Sequence, residues 1–226
     1  MSVLALLIVT GPALAAGETP VVPPATSEPA VPADKAVAAI VSRVQDHYES
    51  VESLQARFVQ VTRSQVWGDE EQRGTLSLQR PNRMRWSFEG DGQQFVSNGE
   101  TMWVYSPTDR QVIRYKGVTA SSSGADALLW SLNRVGELFE VEVLPAPAGH
   151  RLRLVARDEA ARAQVKRLVL QLGDDLMLER VEITDPFDSV TELSFRDVRL
   201  GASIAAGTFE FDVPADVELI DANDAG

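Results

Sequence analysis

Hydrophobic positions change period three times along this chain. After Asp34, which can serve as an N-cap, Ala36, Val37, Ile40, Val41, Val44 and Tyr48 recur at helical spacing, predicting an amphipathic helix to about residue 50. From Leu54 the period becomes two, with Ala56, Phe58 and Gln60 opposite Gln55, Arg57 and Val59. Strands are predicted at 54–64, 73–80, 83–89, 93–97, 101–105 and 111–116, separated by turns such as Glu89-Gly-Asp-Gly92 and Ser97-Asn-Gly99. In the second of these hairpins Leu76 and Leu78 share a face. Beyond Arg80-Pro81-Asn82, Met84, Trp86 and Phe88 share one as well, with Arg83, Arg85 and Ser87 opposite. A serine-rich stretch from Thr119 to Gly124 precedes Ala125, Leu128, Leu129, Leu132 and Val135, again at helical spacing, which reads as a short lid or plug ending at Gly136. Strands resume at 138–144, 150–156, 165–172, 176–184, 190–200 and 208–212. One long helix, a short helical insertion and about eleven or twelve sequential antiparallel strands predict a sheet that curls into a barrel or half-barrel, its mouth covered by helices.

The ends change the picture of organisation. Residues 1–16 carry an apolar run followed by Gly-Pro and Ala13-Leu-Ala15, the form of a secretory signal peptide with an A-x-A cleavage site, although no Lys or Arg precedes the run. Residues 17–33 hold five prolines and read as a disordered Pro/Ala-rich linker. The folded domain is expected over 34–220, with a tail at 221–226. With 226 residues, 44% of them apolar, the chain can bury a sizeable core. Its net charge of -12 argues against a nucleic-acid partner, which would need a basic face. It has no cysteine, so an exported product is expected to be a soluble protein held by packing alone, without a disulfide framework or a lipid anchor.

Chemistry adds little. His47 lies mid-helix and His150 follows a Pro-rich turn, and both read as solvated or packing histidines. Asp185-Pro-Phe-Asp188 and Asp174-Asp175 read as tight turns, and Asp69-Glu70-Glu71 as an acidic loop at a strand end. No nucleophile–base pair, metal set or phosphate loop is offered, so an enzyme, a metal and a cofactor are not expected. What remains is a set of large apolar side chains: Phe58, Leu76, Leu78, Met84, Trp86, Phe88, Phe95, Trp103, Tyr105, Leu129, Trp130, Leu132 and Phe139. They would fill a closed barrel or line a cavity in a half-barrel, and periodicity alone does not choose.

Three further patterns bear on that choice. Phe58-Val-Gln60 is an F-x-Q; Gly74 to Trp86 reads G-x-L-x-x-x-R-P-x-x-x-x-W; Ser97 to Pro107 reads S-x-G-x-x-x-W-x-Y-x-P. Thr208-Phe-Glu-Phe-Asp-Val-Pro-Ala-Asp-Val closes the domain. In this order they resemble the LolA family of periplasmic outer-membrane lipoprotein carriers over residues 35 to about 220. The resemblance implies an α+β fold, an incomplete antiparallel half-barrel of about eleven strands under a helical lid, with the apolar set as an acyl-chain cavity. It implies that Arg80 acts as a lid latch, hydrogen-bonding backbone carbonyls of helix 35–50 and the 119–136 segment. Met84 stands where the family often has an aromatic or leucine. The implied partners are acylated lipoproteins, an inner-membrane lipoprotein-releasing ABC transporter and an outer-membrane receptor lipoprotein, served by a monomer in the periplasm. The receptor is itself a lipoprotein, which this cysteine-free chain cannot be. Other readings of the same apolar set are a carrier of glycolipid or phospholipid, and an envelope domain that senses lipoproteins.

Overall fold

The computed structural model describes residues 33–64, 68–117 and 131–222. The expected signal peptide and linker, Leu129, Trp130 and all but the end of the 119–136 segment lie outside them. Helix α1 spans Ala33–Glu49, and its repeat of Ile40, Val44 and Tyr48 is the stripe that becomes buried. Twelve strands follow: β1 (Ser53–Ser64), β2 (Gly68–Gln79), β3 (Arg83–Phe88), β4 (Gln94–Asn98), β5 (Thr101–Ser106), β6 (Gln111–Lys116), β7 (Phe139–Leu144), β8 (His150–Ala156), β9 (Arg167–Leu172), β10 (Leu178–Thr184), β11 (Val190–Leu200) and β12 (Glu218–Asp221). A 3-10 turn at Leu132–Arg134 leads into α2 (Val135–Leu138), and α3 is Glu159–Gln164.

All twelve strands form one sheet in the order β12-β6-β5-β4-β3-β2-β1-β11-β10-β9-β8-β7. Neighbours are antiparallel except β12, which runs parallel to β6. The two ends of the order, β12 and β7, do not pair, so the sheet is an open half-barrel. β1 lies inside it, facing β2 on one side and β11 on the other: Leu54 opposes both Leu78 and Leu200, and Phe58 both Gly74 and Phe195. Because side chains alternate, this register puts one apolar row on a single face from strand to strand. Helix α1, the 3-10 turn and α2 pack together over that inner face, both helices touching the edge strand β7, and one continuous core joins α1 to strands from both halves of the sheet.

Three local departures from the sequence reading have plain causes. Residues 208–212 are not a strand. Phe209 and Phe211 alternate like one, but the chain there turns, with Thr208 N–H donating to Ala205 O and Glu210 N–H to Gly207 O. The alternation places two rings against the outer face of the sheet, and pairing resumes only at β12. β2 begins at Gly68, so Asp69-Glu70-Glu71 is strand: Glu70 opposes Thr62 and Glu71 opposes Val61. Here β2 is paired with β1 alone, since β3 joins it only from Gly74, and its exposed polar residues gave no apolar signal. The unexpected α3 is capped by Asp158, whose Oδ1 accepts the Ala161 N–H at 2.8 Å.

Candidate functional site

The inner face is built around Phe58. Its ring lies edge-on to Trp86, with centroids 4.9 Å apart, and to Phe88 at 5.1 Å, and Phe88 in turn meets Phe95 at 5.8 Å. Edge-to-face contact of this kind adds to what burial alone gives. The space for it comes from Gly74, the cross-strand partner of Phe58. A Cβ there would lie 2.8 Å from the Phe58 ring and would overlap the carbonyl oxygen of Ser87. Leu76 opposes Ala56 and Trp86, and Leu78 opposes Leu54 and Met84. Phe58, Leu76, Leu78, Met84 and Trp86 are all buried, Leu132 of the 3-10 turn is fully buried against them, and Phe88, Phe95 and Phe139 pack on their margin.

Two expected members of this set are elsewhere. Trp103 opposes Val96 and Arg114, and Tyr105 opposes Gln94 and Val112, all on the outer face. Their rings pack on Phe211, at centroid distances of 6.1 and 5.7 Å. The residue of β5 that packs on the inner core is Met102. Trp103 and Tyr105 therefore line no part of the inner face; they seat the arm that joins β11 to β12. Leu129 and Trp130 lie outside the described residues.

The other half of the inner face was not singled out in the sequence. Leu193 and Phe195 of β11, Val181 of β10, Leu168 and Leu170 of β9, and Leu152 and Leu154 of β8 continue the row by direct cross-strand pairing. The signal was present as period-two alternation in each strand, without the aromatic residues that draw the eye to β3.

Two polar groups fasten the helices to this surface. Tyr48 in the last turn of α1 is 3% exposed; its hydroxyl donates to the Leu176 carbonyl and accepts the Leu178 N–H, each at 3.1 Å. Burial pushes its pKa up to about 12, with the Leu178 hydrogen bond opposing and the Asp175 charge adding to the rise. Gln45 donates through Nε2 to the Asn133 carbonyl at 3.3 Å, and Gly136 sits against it: a Cβ there would lie 2.7 Å from Val41 Cγ1. At the margin of the sheet, half-buried Arg80 donates through Nε to the Val51 carbonyl at 3.0 Å, two residues past α1, while its backbone N–H donates to Glu52 O. Among the described residues no three His, Asp or Glu side chains gather as a metal site, and no helix is long and apolar enough to cross a membrane.

The family model described as outer membrane lipoprotein carrier protein LolA matches residues 49–212. The chain belongs to the LolA family. Among its relatives is an outer-membrane lipoprotein carrier protein of Halorhodospira halophila, 31% identical over 185 residues, covering 80% of this chain and 85% of that protein. Another, of Alkalilimnicola ehrlichii, is 32% identical over 178 residues, covering 78% and 81%. The crystal structure of an uncharacterized conserved protein from Thermus thermophilus shares the fold, with a TM-score of 0.51 at 16% identity, over 82% of this chain and 99% of that one. The LolA match runs from the last residue of α1 to the outer-face arm, so it includes both halves of the inner face and the Arg80–Val51 contact.

Proposed function

We propose that this chain is a periplasmic carrier that receives the acyl chains of lipoproteins on the inner face of its open sheet, beneath α1, the 3-10 turn and α2. The observation that carries the reading is the uninterrupted apolar face itself, running through both halves of a sheet that never closes, in a member of the LolA family. Burial of apolar surface is worth roughly 0.8 kcal/mol per methylene, so one sixteen-carbon chain brings on the order of 10 kcal/mol. A shuttle must hide that surface and still give it up. The helices close over the face when it is empty, and Arg80, by holding the exit of α1, stabilises that closed state. A ligand shifts such an equilibrium only by its differential affinity for the two states, so a stable closed state lowers net affinity and favours handover. The donor is an inner-membrane releasing transporter and the acceptor an outer-membrane receptor lipoprotein. No covalent step is required.

Native mass spectrometry of the chain recovered from the periplasm of an expressing Gram-negative cell tests this. The expected result is a co-purifying acylated lipoprotein, lost in Met84→Glu. Recovery of free phospholipid or glycolipid alone would leave the inner face as a lipid site and reject lipoprotein as its cargo.

A further inference from the structure

The outer face of β8–β11 carries a recess of about 780 Å3, lined by Arg151, Gln171, Arg180, Ser194 and Arg196, which alternate with the inner apolar row; of that row only Phe195 also borders it. The Pro145–Gly149 loop and the Gly173–Asp174 turn lie side by side at one end of it. Register fixes its floor: Arg151 opposes Gln171, Gln171 opposes Arg180, and Arg180 opposes Ser194, while Arg196 lies two residues further along β11 and faces Arg57 of β1. Opposed like charges destabilise a strand pair, and among the described residues Arg57 is relieved by Glu89 alone, at 3.8 Å.

The charges around the recess are unevenly committed. Glu182 is paired with Arg167 at 2.9 Å, Arg180 with Glu192 at 3.4 Å, and Asp174 accepts the Gly149 N–H. Arg151 and Arg196 make no ion pair or hydrogen bond with any described residue, and of the lining acids only Glu179, at the rim, is similarly uncommitted. Acids outnumber bases 33 to 21 in this chain, so two unengaged guanidinium groups on one outer face run against the overall balance.

Arg151 and Arg196 stand three strands and two residues apart, about 16 Å at the usual spacings of ~4.8 Å between strands and ~3.4 Å along one. That gap is too wide for one phosphate or one lipid headgroup to bridge. An extended peptide rises about 3.4 Å per residue, so two carboxylates about four residues apart stand about 14 Å from each other, and the long arginine side chains cover the remainder. Between them, Gln171 and the Ser194 hydroxyl offer hydrogen bonds to a backbone, and each arginine presents a fork matched to a carboxylate.

We propose that this recess docks an extended acidic segment of a partner protein, crossing the strands with one carboxylate on Arg151 and another on Arg196. The site is separate from the inner face, so acyl binding and peptide binding can fail independently. The probe is a fluorescein-labelled Gly/Ser peptide with two Glu about four positions apart, titrated into the full chain by fluorescence anisotropy. Arg151→Gln with Arg196→Gln is expected to weaken binding at least about tenfold, with Lys at both positions retaining part of it. Peptide addition should also shift the Gln171 side-chain amide signals in the unmutated chain, a readout that needs no variant to fold. The proposal is overturned if the unmutated chain does not bind, if the double variant binds equally well, if a peptide with adjacent Glu binds as tightly, or if only phosphatidylglycerol vesicles are bound.

Discussion

Tyr48 shows how much a single side chain carries at the joint between helix and sheet. Its ring closes the apolar stripe of α1, and its hydroxyl satisfies a carbonyl and an N–H of the β9–β10 turn, where Leu176 has a φ of 65°. Tyr48→Phe keeps the ring and leaves both backbone groups unpaired, so we expect a loss of about 1–3 kcal/mol in urea unfolding at neutral pH. The titration has a definite sign. The phenol's pKa is raised from 10.0 to about 12 in the fold, so folding favours the protonated form. That contribution is whole below pH 10 and disappears as pH climbs from 10 to about 12, at a cost on the order of 3 kcal/mol. Unfolding midpoints measured from pH 9 to 12 should therefore fall more steeply for the parent than for Tyr48→Phe; parallel curves would reject the assignment. In the sequence Tyr48 was visible as the last apolar position of a helix, but its partners lie 128 and 130 residues away. Periodicity carries no information about such distant pairs.

At the scale of elements, the arm between β11 and β12 is the least regular part of the described chain. It is held by Arg85, whose Nη1 donates to the carbonyls of Thr208 and Glu210 at 3.0 and 3.3 Å, by the Phe211 ring on Trp103 and Tyr105, and by the buried Phe209. Phe211→Ala should lower the local opening free energy of the arm by about 1–2 kcal/mol. Hydrogen exchange should accordingly accelerate over residues 204–217 while β1 and β2 keep their protection. Acceleration spreading through β3–β5 would show instead that the arm is integral to the sheet. Helix α1 and eleven of the strands were legible, because a core on one side of an amphipathic element imprints its period on the sequence. The arm was misread as a strand because anchoring two rings on one surface leaves the same i, i+2 mark as strand pairing. The acidic start of β2 and the short α3 were missed because neither buries an apolar face.

For the molecule as a whole, legibility stops at the question of which side is inside. Alternation correctly put Trp103 and Tyr105 on a common face, but only the pairing of Val96 with Trp103 shows that this face is opposite Phe95 and Trp86. Arg80→Leu tests the proposed closed state, and handover to the proposed receptor, at this scale. The variant is expected to fold with its sheet intact and to take up lipoprotein, yet to hand it on to the outer-membrane receptor markedly less, as measured by transfer from the purified loaded carrier. Unimpaired transfer by a well-folded variant would remove Arg80 from the release step.

The missing seam between β12 and β7 has one more consequence. A closed barrel has a radius fixed by its strand number and stagger, and it cannot widen without breaking a ladder of hydrogen bonds. Among the described residues no ladder joins the two margins, so the curvature of the sheet can relax while every strand keeps its neighbours. Such a sheet is a clasp rather than a can: its girth is set by packing and not by a closed ring of hydrogen bonds.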